Sequence, residues 1–239
     1  MTRAAGGPIL GLCAAFGLFA ALSSPAPAYA EPVDVALVLA IDVSLSVDDR
    51  EYRLQREGIA RAFESPALAA TIGGGTHHAI DVLVLEWSDD RQVATVDWTR
   101  VTDTASAKDF AARLRATKRS SQGRTAIGSA LIAAGAAFKN LPDEAMRKVI
   151  DVSGDGMTNA GPSPDGPRDL LIASGITING LVIVNDEPGV GQYYDRYVVG
   201  GPGAFLMQVE DYRSFAAALQ QKLLAELVAL PRRRDGSPT

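Results

Sequence analysis

The chain is short of the residues that most metal and redox chemistry uses. Its 239 residues include one cysteine, Cys13, and two histidines, His77 and His78. A lone thiol excludes an internal disulfide and a Cys-based metal site. The paired histidines follow Gly73-Gly74-Gly75, and no other His, Cys or carboxylate stands near them at zinc-ligand spacing. They read as a solvated loop. Positive charge is also scarce, with 23 Lys and Arg against 28 Asp and Glu. An acidic balance with no basic cluster in the body argues against a nucleic-acid partner. The run Arg232-Arg233-Arg234 sits in a Pro/Gly/Ser stretch and reads as a solvated end.

Long apolar runs are missing too. Residues 9–22 are apolar, but 14 residues are too few to span a bilayer comfortably. Arg3 precedes them and Ala28-Tyr29-Ala30 follows, which is the layout of a secretory leader cleaved after Ala30. Leu12 precedes Cys13 where lipid attachment wants a small residue. Removing residues 1–30 takes away Arg3 and Cys13 and leaves 22 basic against 28 acidic residues, a net charge of −6. The expected organisation is a leader over 1–30, one domain over 31–230 and a disordered tail over 231–239. A periplasmic or secreted protein with no membrane span after cleavage follows.

Strand and helix signals alternate in what remains. Residues 35–41 form a continuous apolar run, as in a strand covered on both faces. Residues 47–64 predict a helix with acidic residues in its first turn. Strands are predicted at 80–87, 148–153, 176–184 and 204–209, and a hairpin with an edge strand at 92–101. Further helices are predicted at 106–118, 125–141, 165–174 and 211–230. Residues 185–203 carry too much Gly and Tyr to assign. The pattern predicts an α/β fold: an open, mostly parallel twisted sheet with one antiparallel edge strand and helices on both faces.

In such a sheet ligands bind beyond the carboxyl ends of the strands. The first strand runs into Asp42-Val-Ser44-Leu-Ser46, and strand side chains alternate, so these three share one side of an extended segment. The strand at 148–153 runs into Gly154-Asp155-Gly156. The helix at 125–141 starts at Thr125 on the same edge. Two carboxylates and three hydroxyls, with neither Cys nor His, suit a hard cation such as Mg²⁺. Neutral hydroxyls leave much of the cation's charge uncancelled, so the site would attract an outside anion. Simpler readings exist for each residue. Asp42 and Ser46 can cap the next helix, Ser46 with Asp49 resembles a capping box, Thr125 can be an N-cap and Asp155 a turn residue. Asp48 and Asp49 are explained by the helix dipole without a second cation. Glu86 ends a buried strand, and Trp87 and Trp98 read as packing for the hairpin.

The segments DVALVLAIDVSLS, GRTAIGSAL and VIDVSGDGMTN resemble the three metal-site motifs of the von Willebrand factor type A superfamily. LVLEWSDD and GITINGLVIV also fit its usual pattern, and the resemblance covers about residues 34–228. It is closest to a bacterial secreted branch of unknown function. The resemblance implies a metal-ion-dependent adhesion site: Ser44, Ser46 and Thr125 touching the cation, Asp42 and Asp155 acting directly or through water. The ion would be Mg²⁺, with Mn²⁺ or Ca²⁺ as alternatives. The ligand would be an acidic side chain of an envelope or extracellular protein, and some members shift their last helix on binding. Ser88, Asn185, Tyr193 and Tyr194 are candidates for the ligand rim. The segment 185–203 is longer and richer in Gly and Tyr than the family's usual connection, and its tyrosines also read as packing of the loop onto the body.

The expected function is a cation-dependent binding module with no catalytic residues. The alternative is a metal-dependent hydrolase of phosphoesters or esters. An aspartyl phosphotransferase would want a second carboxylate two residues after Asp42, where Ser44 stands. No G-x-S-x-G elbow follows any strand. A third reading is an assembly role with a vestigial rim.

Overall fold

A computed structural model of the protein describes residues 1–2, 31–89, 91–184 and 187–228. The expected leader (its first two residues aside), the expected tail and Asn185 lie outside the described residues. Six strands form one sheet: β1 (Val33–Asp42), β2 (Ile80–Trp87), β3 (Gln92–Val101), β4 (Ala145–Gly154), β5 (Ile176–Ile183) and β6 (Leu206–Val209). Their order is β3-β2-β1-β4-β5-β6, parallel except for the β2–β3 hairpin. The predicted architecture is the one found. No described helix is long and apolar enough to cross a membrane.

The helices are α1 (Asp49–Phe63), α2 (Pro66–Gly73), α3 (Thr104–Ala116), α4 (Ile127–Ala137), α5 (Asp165–Ala173), α6 (Val190–Tyr197) and α7 (Phe215–Val228). Strand alternation sorts β1 between two cores. Val35, Leu37, Leu39 and Ile41 pack with Ile59 and Phe63 of α1, Phe110 of α3 and Leu219 and Leu223 of α7. Ala36, Val38 and Ala40 face α4 and α6. The small residues on that face let the Ala- and Gly-rich α4 sit close to the sheet.

Two helices differ from expectation by being present at all. α2 is an eight-residue helix with Pro66 in its first turn, and it ends at the glycine run. α6 lies in the segment that resisted assignment and starts after Gly189, whose φ of 84° is a left-handed conformation suited to glycine. The cap of α1 differs as well. Asp48, not Ser46, is the N-cap, and it forms the capping box with Glu51.

α7 is anchored by charge as well as by apolar contact. Lys222 is fully buried and its Nζ pairs with Asp151 of β4 and lies 3.3 Å from Glu226 Oε1. Asn179 of β5 donates to Glu226, Arg147 donates to the Glu226 carbonyl oxygen, and the Phe205 ring lies 5.3 Å from Lys222 Nζ. Burial, then the charge of Asp151, pushes Glu226 up to about 8. Glu226 therefore holds its proton at neutral pH, and Lys222 and Asp151 form the ion pair. Below the ordinary glutamate value the folded and unfolded chains both hold that proton. From there up to about 8 only the folded chain does, so the group's contribution to stability is lost as pH rises through that window. Glu226→Gln should flatten the fall of the thermal midpoint with pH across this range. A variant curve parallel to wild type would show that Glu226 is ionised in the fold.

Candidate metal centre

The register of the sheet sets the site. Ile41 of β1 pairs with Ser153 of β4, so Asp42 and Gly154 leave the sheet side by side. Asp155 follows at once. α4 leads back into β4 and so runs against the strands, which brings its N-terminus, with Thr125 before it, to the same edge. Three segments far apart in sequence are thus delivered to one place by topology.

The side chains converge there. Ser44 Oγ and Ser46 Oγ are 3.1 Å apart, Thr125 Oγ1 is 3.4 Å from Ser44 Oγ, and Ser46 Oγ donates to Asp155 Oδ1 at 2.7 Å. Ser44 N–H donates to Asp42 Oδ1 at 2.7 Å. Asp42 and Ser44 are fully buried, Thr125 and Asp155 nearly so, and Ser46 is exposed at the mouth. The mouth opens into a cleft of about 240 Å³ lined by Ser46, Thr125, Asp155, Gly156, Met157 and Glu187, among others. Thr125 does not cap α4: the N-cap is Ala126, without a side-chain bond. Its backbone is held instead by Asn159, whose Oδ1 accepts from Thr125 N at 2.9 Å.

The electrostatics of the site suit a bound cation. Burial, then the charge of Asp155, pushes Asp42 up to about 7. Asp42 Oδ2 is buried without a hydrogen-bond partner, an uncommon arrangement for a carboxylate oxygen. Among the described residues no cluster of three or more His, Cys, Asp or Glu forms a metal site. The donor set here is different: three hydroxyls and two carboxylates, the oxygen-only chemistry that hard divalent ions take.

The loop from Val43 to Val47 is braced by a residue that no motif marks. Arg119 donates from Nη2 to the carbonyl oxygens of Val43, Ser44 and Val47 at 2.9, 2.9 and 2.7 Å. Glu86, buried at the end of β2, accepts from Tyr52 OH and from Ser120 N at 2.8 and 2.7 Å and so ties down the neighbouring segment. Gln55 Nε2 donates to the Asp42 carbonyl oxygen at 3.2 Å. Glu187 stands at the mouth, where its Oε2 accepts from Met157 N at 2.7 Å. Tyr212 donates to Asp155 Oδ2 at 3.0 Å.

The rim candidates fare unevenly. Ser88 is fully buried, with its hydroxyl 2.9 Å from Ser121 Oγ, so it is not on an exposed rim. Tyr194 is fully buried behind the site, next to Asp42. Tyr193 is half-buried and stacks with Tyr197, ring centroids 5.0 Å apart. Packing therefore accounts for most of these tyrosines. Trp87 is fully buried, and Trp98 packs against Phe138. His77 and His78 are at the opposite edge of the sheet, where His77 N–H donates to Asp34 at the start of β1. No imidazole base is therefore available to this centre.

Comparison with known proteins places the geometry. A search of curated proteins found no match to the sequence. Among solved structures, the chain is similar to proximal thread matrix protein 1 from the mussel byssus, in a form with a zinc-occupied MIDAS motif, at TM-score 0.61 and 16% identity over 82% of this chain. The chain spans 46% of that protein's length. It is similar to the vWF domain of the type V pili tip protein Mfa5 from Porphyromonas gingivalis at TM-score 0.58 and 12% identity, covering 87% of this chain and 98% of that one. A von Willebrand factor type A protein from Catenulispora acidiphila aligns at TM-score 0.57 and 17% identity, over 82% of this chain and 43% of that one. These identities establish the fold alone, which is that of a von Willebrand factor type A domain. The family described as "Protein of unknown function (DUF1194)" matches residues 32–231, and the chain belongs to that family.

Proposed function

We propose that this is a secreted binding module in which Asp42, Ser44, Ser46, Thr125 and Asp155 hold one divalent cation, Mg²⁺ in the first instance, through which the protein grips an acidic side chain of an envelope or extracellular partner. The observation that carries the reading is the convergence of Ser46, Thr125 and Asp155 on one open cleft, with buried Ser44 in contact with the hydroxyls and buried Asp42 bonded to the Ser44 backbone, and no cationic side chain lining the cleft. When bound, the cation supplies an electrophilic anchor with a position open to an outside anion. Leu45, 64% exposed between Ser44 and Ser46, would put an apolar contact beside that anchor. A leader over residues 1–30 would deliver the domain across the membrane. The absence of an imidazole at the site favours binding over hydrolysis.

Titration of the full chain with Mg²⁺ by calorimetry tests the reading. Wild type should take up one ion per chain. Asp42→Ala and Ser44→Ala should each weaken uptake by at least about tenfold, as expected when one ligand of a small set is deleted. Equal uptake by wild type and both variants would end the proposal.

A further inference from the structure

Two tyrosines from the last quarter of the chain reach the backs of the two carboxylates. Tyr212, just before α7, is nearly buried and donates to Asp155 Oδ2 at 3.0 Å. Asp155 Oδ1 already accepts from Ser46 at 2.7 Å. Tyr194, on α6, is fully buried, and its hydroxyl has no hydrogen-bond partner. Asp42 Oδ2 has none either, while Oδ1 accepts from Ser44 N. A Cβ on Gly154 would run into the Tyr194 hydroxyl and stand 2.9 Å from Asp42 Oδ2, so the two orphans face one small space above that glycine. Buried polar groups are rarely left unpaired. A phenol hydroxyl and a carboxylate oxygen, both unpaired and facing one small space, are placed to bond to one another.

We infer that Tyr194 and Tyr212 are positioning residues that set the ion preference of the centre, by occupying one oxygen of each carboxylate and so preventing bidentate ligation. The inference rests on the cation-binding reading above and extends it to ion selectivity. The chemistry is direct. Ca²⁺ takes about six to eight oxygens and readily accepts both oxygens of a carboxylate, whereas Mg²⁺ demands a near-octahedral set, keeps several waters and uses few carboxylates. A carboxylate with one oxygen held by a phenol presents the cation a single oxygen or a bridging water. That geometry suits Mg²⁺ and leaves Ca²⁺ short of ligands. It also gives a role to Tyr194 of α6, whose hydroxyl packing alone leaves without a partner.

The test compares Mg²⁺ and Ca²⁺ affinities by calorimetry on the full chain, for wild type, Tyr212→Phe, Tyr194→Phe and, as a control remote from the carboxylates, Tyr197→Phe. Removing partners of this kind typically costs about 10- to 100-fold in metal affinity, so the preference for Mg²⁺ over Ca²⁺ should drop by about tenfold in Tyr212→Phe and in Tyr194→Phe and stay unchanged in Tyr197→Phe. Tyr194→Phe deletes a hydroxyl that has no hydrogen-bond partner, so it should not destabilise the fold, and a changed ion preference there reports on the centre alone. Mg²⁺ should also perturb the near-ultraviolet tyrosine spectrum of wild type, with a smaller change in Tyr212→Phe. If wild type binds both ions and neither Tyr212→Phe nor Tyr194→Phe alters their ratio, the inference is overturned and the cation site stands. If wild type binds neither ion, the proposed function falls first.

Discussion

Lys222→Ala is expected to lower stability by about 3–5 kcal/mol, the usual cost of removing one partner from a buried ion pair. For a domain of this size that is a fall in thermal midpoint of roughly 10 °C. The cause is what remains behind. Asp151, 5% exposed, would keep a carboxylate whose one charge partner among the described residues is gone. The protonated Glu226 beside it can still offer a hydrogen bond, but a neutral donor does not replace the lost counter-charge. Glu226, already protonated next to it, cannot supply a positive charge. The helix most affected is α7, because Lys222 and Glu226 are its polar ties to β4 and β5. Lys222→Met separates charge from volume. It fills the space but leaves Asp151 unpaired, so it should recover only the packing part of the loss. Thermal denaturation followed by circular dichroism measures both variants. A Lys222→Ala protein within about 1 kcal/mol of wild type would mean that Asp151 takes up a proton at little cost and the ion pair is not what holds α7.

How much of this was visible in the sequence varies with how local the signal is. β2 and β3 were readable to the residue, since the Gly-rich turn before Ile80 and the polar turn after Trp87 bound both sides of the hairpin. The D-x-S-x-S triplet was readable as a cluster but not for the expected reason: β1 ends at Asp42, and Ser44 and Ser46 sit in a turn closed by Val47 N–H donating to the Ser44 carbonyl oxygen, so the turn and not strand alternation brings the hydroxyls together. Placing Asp155 and Thr125 beside it needed only the rule that parallel strands and returning helices share an edge. α2 and α6 were not readable. α2 buries only Leu68 and Ile72, too few to make a stripe. α6 begins at a left-handed glycine without a capping side chain. Tyr212 was missed because its partner is 57 positions away in sequence and is met only once β6 is in register with β5. Ser88 was placed on the rim because it follows a strand. The structure buries it, with its N–H donating to the Arg91 carbonyl oxygen and its hydroxyl 2.9 Å from Ser121 Oγ.

Arg119 was invisible for a different reason: its partners are backbone carbonyls, which every sequence has. Arg119→Gln sets two effects against each other. Loss of a positive charge close to the centre should favour a bound cation by about 1–2 kcal/mol at the effective dielectric of a partly exposed site. Loss of the guanidinium also frees the carbonyls of Val43, Ser44 and Val47, and with them the loop that carries two of the three hydroxyls. Reordering that loop each time an ion binds costs about 1–2 kcal/mol per residue, and the loop from Val43 to Val47 is five residues long. Order outweighs charge, so Mg²⁺ affinity should fall by at least about tenfold in Arg119→Gln. Arg119→Lys keeps the charge but loses the Nε–H bond to the Ser121 carbonyl oxygen and the Nη1 contact with Asp49, which fix the planar group that carries Nη2 against the three carbonyls. It should therefore lose affinity as well, and by at least as much, since the retained charge still opposes the ion. Calorimetry on the two variants decides between the effects. Tighter Mg²⁺ binding in Arg119→Gln than in wild type would show that Arg119 acts on the centre through its charge, and that the loop holds its shape without it.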